Sequence, residues 1–105
     1  MVIIFYCAKY LKYVLINIIH FNKDKDKVNF NKLIYQKNNL QDNLLIYLAK
    51  NNINYITTDA ILSLYDFKTR KIIKSEQNIV KYRALDIAEE KGVERKILEL
   101  LDPEI

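Results

Sequence analysis

Few side chains in this 105-residue chain are equipped for chemistry. There is one histidine, His20, and one cysteine, Cys7. A structural zinc site takes four nitrogen or sulfur ligands, so such a site is excluded, a carboxylate magnesium site stays open, and no resident cofactor is expected. The only serines are Ser63 and Ser75, and neither stands in a G-x-S-x-G elbow. A serine or cysteine nucleophile needs a base within hydrogen-bond reach, and His20 is the sole imidazole that could serve. Its simplest role is on the polar face of a helix, and that of Cys7 is as a small core hydrophobe. Loops that cradle phosphates need glycine for close backbone approach. The single glycine, Gly92, sits where a helix should end, so P-loop and dinucleotide fingerprints are absent.

One mixed constellation remains: Asp59, Asp66, Lys68 and Glu76. Carboxylates can hold Mg²⁺ while a lysine stands near a scissile phosphate. Asp59 followed by Asp66-Phe67-Lys68 resembles the D…(D/E)-x-K pattern of the restriction-endonuclease-like superfamily. The six intervening residues are fewer than the two strands of that family usually span. Asp59 after an expected strand also resembles the carboxylate placement of PIN-type ribonucleases. Either resemblance implies a small metal-dependent nuclease, with Asp59, Asp66 and Lys68 as candidate catalytic residues. The same stretch supports a simpler reading. Lys68, Arg70, Lys71 and Lys74 share one seven-residue window beside Tyr65 and Phe67. A basic hairpin over 65–75 could track a phosphate backbone and stack unpaired bases. Lys71 and Lys74 would otherwise solubilise an edge strand around Ile72-Ile73.

The charge distribution suggests partners of another kind. The net charge is +4. Residues 1–75 carry 12 basic and 5 acidic side chains, a balance of +7, while residues 76–105 carry 5 basic and 8 acidic, a balance of −3. Such asymmetry suits head-to-tail self-association. The abundance of Ile, Lys, Asn and Tyr matches AT-rich codons, so the lysine content by itself does not mark a nucleic-acid binder.

The elements that must position these residues follow from periodicity. Residues 1–21 are apolar, but Lys9 and Lys12 interrupt a span, and no basic region precedes a small-residue cleavage site. No membrane segment or secretion signal is expected, and with a lone cysteine a cytoplasmic location follows. Residues 2–7 suit a buried strand or the first turns of a helix over 8–21. NKDKDK at 22–27 is a charged loop, and 28–35 is a short strand or helix start. Asn39 and Asp42 suit the start of a helix with Leu40, Leu44, Leu45 and Leu48 on one face, ended by Asn51-Asn52. INYIT at 53–57 reads as a strand, and 60–65 with 71–75 as a hairpin, with a short helix from Asp59 to Asp66 capped by Thr58 as the alternative to its first strand. A helix runs from Ser75 to about Lys91, with Gly92 as its C-cap. Another covers 93–101, ended by Asp102-Pro103. No internal repeat or linker is visible.

These elements predict a small single domain over 1–105, of α/β or α+β class, with a few strands and three to four helices. The expected core is Ile4, Leu15, Ile18, Leu44, Leu45, Leu48, Ile56, Leu64, Ile72, Val80, Ile87, Ile97 and Leu101. The expected function is a non-enzymatic interaction module that self-associates into a homo-oligomer. The alternatives are the basic hairpin on nucleic acid and the metal-dependent nuclease.

Overall fold

A run of apolar residues on every side of a helix places that helix in the interior. Leu44–Asn51 forms such a helix, α1, and Leu44 through Ala49 are all buried. The computed structural model describes residues 34–51 and 53–105. The readings of 1–21 and 22–27 lie outside the described residues, as do Ile4, Leu15, Ile18 and all but the last two residues of 28–35. After α1 come α2 (Tyr55–Leu62), α3 (Phe67–Ser75), α4 (Ala84–Lys91) and α5 (Arg95–Leu101). The described residues form five helices and no strand. This corrects the α/β or α+β expectation.

The correction has a local cause. Asn54 Oδ1 accepts from the Thr57 N–H at 2.9 Å, and Asp66 Oδ1 accepts from the Thr69 N–H at 2.8 Å. Each is an N-cap that satisfies an otherwise orphan helix donor. INYIT at 53–57 therefore opens α2 instead of forming a strand. The presumed hairpin over 60–65 and 71–75 is the end of α2 and the body of α3. Asp66 starts a helix where it was expected to start a hairpin turn. Short apolar runs rich in Ile and Tyr satisfy either period, and here the caps and tertiary packing decide.

Two helix starts also move. α1 begins at Leu44, capped by Asn43, whose Oδ1 accepts from the Ile46 N–H at 2.8 Å. Asn39 is exposed and Leu40 is 52% exposed, because residues 38–42 close a turn before the helix. The single helix expected from Ser75 to Lys91 is interrupted: α3 ends at Ser75 and α4 starts at Ala84. Gly92 is the left-handed C-cap of α4, with φ 69°, as its position suggested. The last helix ends before Asp102-Pro103 as expected.

α1 packs against α4 and α2, and α5 packs against α2 and α4. Leu44, Leu45, Leu48, Ile87, Ile97 and Leu101 are core residues as expected, and Leu64 packs partly buried against them. Ile56, Ile72 and Val80 are instead exposed by 60% or more. They were assigned inward on strand or longer-helix registers that the fold does not adopt. Among the described residues no helix is long and apolar enough to cross a membrane.

The fold contains a duplication that the sequence conceals. Positions 38, 44 and 55 correspond to 78, 84 and 95, a constant displacement of 40 residues. In the first unit the Asn38 N–H donates to the Asp42 carbonyl and the Gln41 N–H to the Asn38 carbonyl. Asn38 Oδ1 accepts from the N–H groups of Leu40 and Asp42, both at 3.0 Å. In the second unit Asn78, Val80, Lys81 and Tyr82 repeat all four bonds. Gln41 and Lys81 hold the same left-handed backbone, at φ 64° and 71°. Each turn leads into an eight-residue helix, α1 or α4, and then into a second helix, α2 or α5. Equivalent helices pack on each other, α1 on α4 and α2 on α5. This is the contact rule of stacked repeats.

One carboxylate joins the two units. Asp42 is fully buried, and its oxygens accept from Asn38 Nδ2 at 2.9 Å, Lys50 Nζ at 2.8 Å and Asn78 Nδ2 at 3.0 Å. Asp42→Ala strands two amide donors in the interior and leaves an ammonium without its counter-ion. Breaking a buried pair costs about 3–5 kcal/mol. The lower end applies, since Lys50 is partly exposed and can turn to water. Urea denaturation of Asp42→Ala should therefore show a loss of about 3 kcal/mol. A loss below about 1 kcal/mol would remove Asp42 from its joining role. A gain is expected at the second turn. A left-handed conformation costs a non-glycine residue about 1–2 kcal/mol, and glycine returns about 0.5–1 kcal/mol of that as chain entropy. Lys81→Gly should thus stabilise by about 0.5 kcal/mol, read from the same denaturation curves.

Candidate interaction surface

The two turns lie side by side, and this creates the most distinctive surface of the described residues. The Ile79 N–H donates to the Leu40 carbonyl at 2.9 Å, a main-chain rung between the turns. The asparagine side-chain oxygens are consumed inside their own turns and the amide nitrogens on Asp42, so neither asparagine faces outward with the residues that follow it. Leu40, Ile79, Val80 and Tyr82 are all exposed. They form an apolar group on the linked turns, a placement enriched at protein contact sites. The turns are rigid supports for it. Beneath them Asn43 Nδ2 donates to the Ile73 carbonyl at 3.1 Å and to Glu76 Oε1 at 2.9 Å, tying α3 to the start of α1. Beyond them the Arg83 guanidinium grips Asp86 at 2.9 Å, and the Arg83 N–H donates to the same carboxylate at 2.8 Å. Hydrogen bonds from the Arg83 side chain hold the Asp86 carboxyl below its ordinary range, and the same bonds raise Arg83.

The residues singled out by sequence fall elsewhere. Asp59 is exposed within α2, Asp66 caps α3, and Lys68 is exposed in the first turn of α3. Glu76 is the C-cap of α3, held by Asn43 and, at 3.1 Å, by Lys37. The Thr69 backbone N–H lowers the Asp66 carboxyl. Among the described residues no group of three acidic, His or Cys side chains can hold a metal ion.

The four cations of the expected basic hairpin lie on a helix and divide into two pairs. Lys68 and Lys71 are exposed. Arg70 turns inward, its Nε donating to the carbonyls of Leu62 at 2.7 Å and Tyr65 at 2.9 Å. Lys74 is buried, and its Nζ reaches the carbonyls of Asp102 at 3.3 Å and Ile105 at 3.5 Å. Tyr65 is buried too, donating its hydroxyl to the Ile34 carbonyl, and burial raises its phenol above the ordinary range. Of the two aromatics proposed to stack bases, only Phe67 is exposed.

Sequence reasoning missed Leu40 and Ile79 and assigned Val80 to the core. The available signal was the pair Asn38 and Asn78, each six residues before an eight-residue helix's first core position. Within 38–62 and 78–102, however, only Asn38/Asn78 and Leu45/Leu85 are identical pairs. The chain matches no protein-family model, no curated protein and no solved structure.

Lys74 yields a pH prediction. Burial lowers its pKa from the ordinary 10.5, so the folded state binds this proton more weakly than the unfolded chain. Stability must therefore rise as pH climbs through the lowered value toward 10.5. Lys74→Met should be at least as stable as the wild type near neutral pH and should lack that rise. Chemical denaturation at neutral and alkaline pH measures both, and parallel pH profiles for the two proteins would overturn the assignment.

Proposed function

We propose that this chain is a non-enzymatic interaction module that associates with copies of itself. The observation that supports this most is the exposed apolar group of Leu40, Ile79, Val80 and Tyr82, carried on two hydrogen-bonded turns. Stacked repeats present extended surfaces of this kind for binding. The charge balance of +7 over residues 1–75 against −3 over 76–105 favours association between unlike ends of two copies. A single cysteine suits work in the reducing cytoplasm. Within the described 65–75 stretch, a nucleic-acid interface draws support from exposed Lys68 and Lys71 beside exposed Phe67. That is a short basic edge, since Arg70 and Lys74 serve the fold.

Light scattering at rising protein concentration tests the proposal. The mean mass should climb above the 12.5 kDa monomer between about 10 µM and about 1 mM, the range of weak interfaces. Val80→Lys, at an exposed position, should reduce this growth while changing stability by no more than about 0.5 kcal/mol. A constant monomer mass across the range would overturn self-association. Growth that appears only with added oligonucleotide, and disappears with salt, would favour the nucleic-acid reading.

A further inference from the structure

The rung between the two turns has a direction. The downstream turn supplies the N–H of Ile79, and the upstream turn supplies the carbonyl of Leu40. Displacement by 40 residues identifies the equivalent groups on the outer sides of the pair. They are the N–H of Asn39, the counterpart of Ile79, and the carbonyl of Val80, the counterpart of Leu40. Both residues are exposed, and neither group has a hydrogen-bond partner among the described residues. The pair of turns thus ends in an open donor on one side and an open acceptor on the other. An unpaired main-chain edge is a template for another chain.

We propose that a second copy of this chain adds head to tail at this edge, its Asn39 N–H donating to the Val80 carbonyl of the first. The inference rests on the self-association reading and specifies its geometry. Three observations select a second copy as the occupant. The same turn already stacks on the same turn within the chain, through a 2.9 Å rung. The donor and acceptor edges are complementary to each other, so neither pairs with itself. Val80 lies in the acidic segment 76–105 of one copy, and Asn39 lies in the basic segment 1–75 of the other. Stacking also aligns Leu40 of the incoming copy with Val80, extending the apolar row that these equivalent residues begin.

The joint between copies is weaker than the joint within one. Inside the chain, Asn78 Nδ2 also donates to the buried Asp42 carboxylate. At the new joint the residue equivalent to Asp42 is Tyr82, so that charge-assisted bond is lost. Association is therefore reversible. Because the contact is heterologous, it adds further copies instead of stopping at two unless rotation closes a ring.

Disulfide trapping in a Cys7→Ser background distinguishes the geometry. A main-chain N–H···O=C bond between Asn39 and Val80 holds their Cα atoms about 5–6 Å apart, which lies within disulfide range. Asn39→Cys and Val80→Cys proteins, mixed and oxidised, should form a heterodimer in at least tenfold greater yield than either alone. Self-crosslinking of Val80→Cys at equal yield would overturn the head-to-tail geometry in favour of a two-fold contact. No crosslink despite growing mass would overturn the inference while leaving self-association standing. A monomer at every concentration would overturn both. Asn39→Pro provides an independent reading. It removes the donor N–H at the first central position of a β-turn, where proline is favoured. It should keep the melting temperature and weaken association at least tenfold, whereas undiminished association of this folded variant would overturn the role of the Asn39 N–H. Should this variant not fold, the crosslinking result decides.

Discussion

The rest of the described fold depends on the Asp42 carboxylate. Among the described residues it is the one fully buried acid, and it gathers donors from three places: its own turn through Asn38, the end of α1 through Lys50, and the second turn through Asn78. A buried charge is tolerated only when paired and hydrogen-bonded. That requirement specifies the structure. The carboxylate is satisfied only if both turns are closed, if α1 is wound far enough to return Lys50, and if the second unit sits in register beside the first. A register shift in the stack would leave a bare charge in the interior. The hydrophobic core drives association of α1 with α4, but apolar contact is non-directional and does not select one register by itself.

The two asparagines have a related role. Asn38 and Asn78 each use the side-chain oxygen twice on their own backbone and the amide nitrogen once on Asp42. Side chains that mimic backbone in this way compete with helix, which is why α1 and α4 begin only after the turns. The helix starts then differ in chemistry while agreeing in position. Asn43 caps α1 with its own oxygen, whereas Arg83 reaches forward and donates to Asp86. Lys91 completes the registration at the opposite end, donating to the Lys50 carbonyl at the end of α1. A cation there also complements the partial negative charge of a helix C-terminus.

What could be read from the sequence follows from which signals are local. Gly92 was legible because a left-handed C-cap strongly favours glycine, and Asp102-Pro103 because proline constrains its predecessor. The apolar faces of α1, α4 and α5 were legible at the level of Leu44, Leu45, Leu48, Ile87, Ile97 and Leu101. The strands were misread because INYIT and the residues around Asp66 contain β-formers whose caps, Asn54 and Asp66, serve helices and turns equally well. The duplication was illegible for another reason. Its conserved content is a backbone path, and that path is held by different side chains in the two units. Gln41 and Lys81 stand at left-handed positions where glycine would have announced the turn. Asp42 and Tyr82, or Asn43 and Arg83, share a place without sharing a type.

The same disparity explains why the exposed residues concentrate where they do. A repeat that is structurally periodic but chemically uneven has inner and outer sides of each turn with unequal partners. Between the units, Asp42 and Asn78 supply a polar lock beside the Ile79–Leu40 rung. On the outer side Tyr82 stands where Asp42 stands in the first unit, so the second turn carries no equivalent of that lock. A tyrosine at this place keeps an unpaired carboxylate off an exposed edge. Leu40 and Val80 are apolar in both units while their exposed neighbours Asn39 and Ile79 differ, and the buried Asp42 and Asn43 are matched by the exposed Tyr82 and the half-buried Arg83. The exposed apolar side chains of Leu40, Ile79, Val80 and Tyr82 therefore gather where the two turns meet, on the side of the rung away from the buried Asp42 carboxylate's partners in the core.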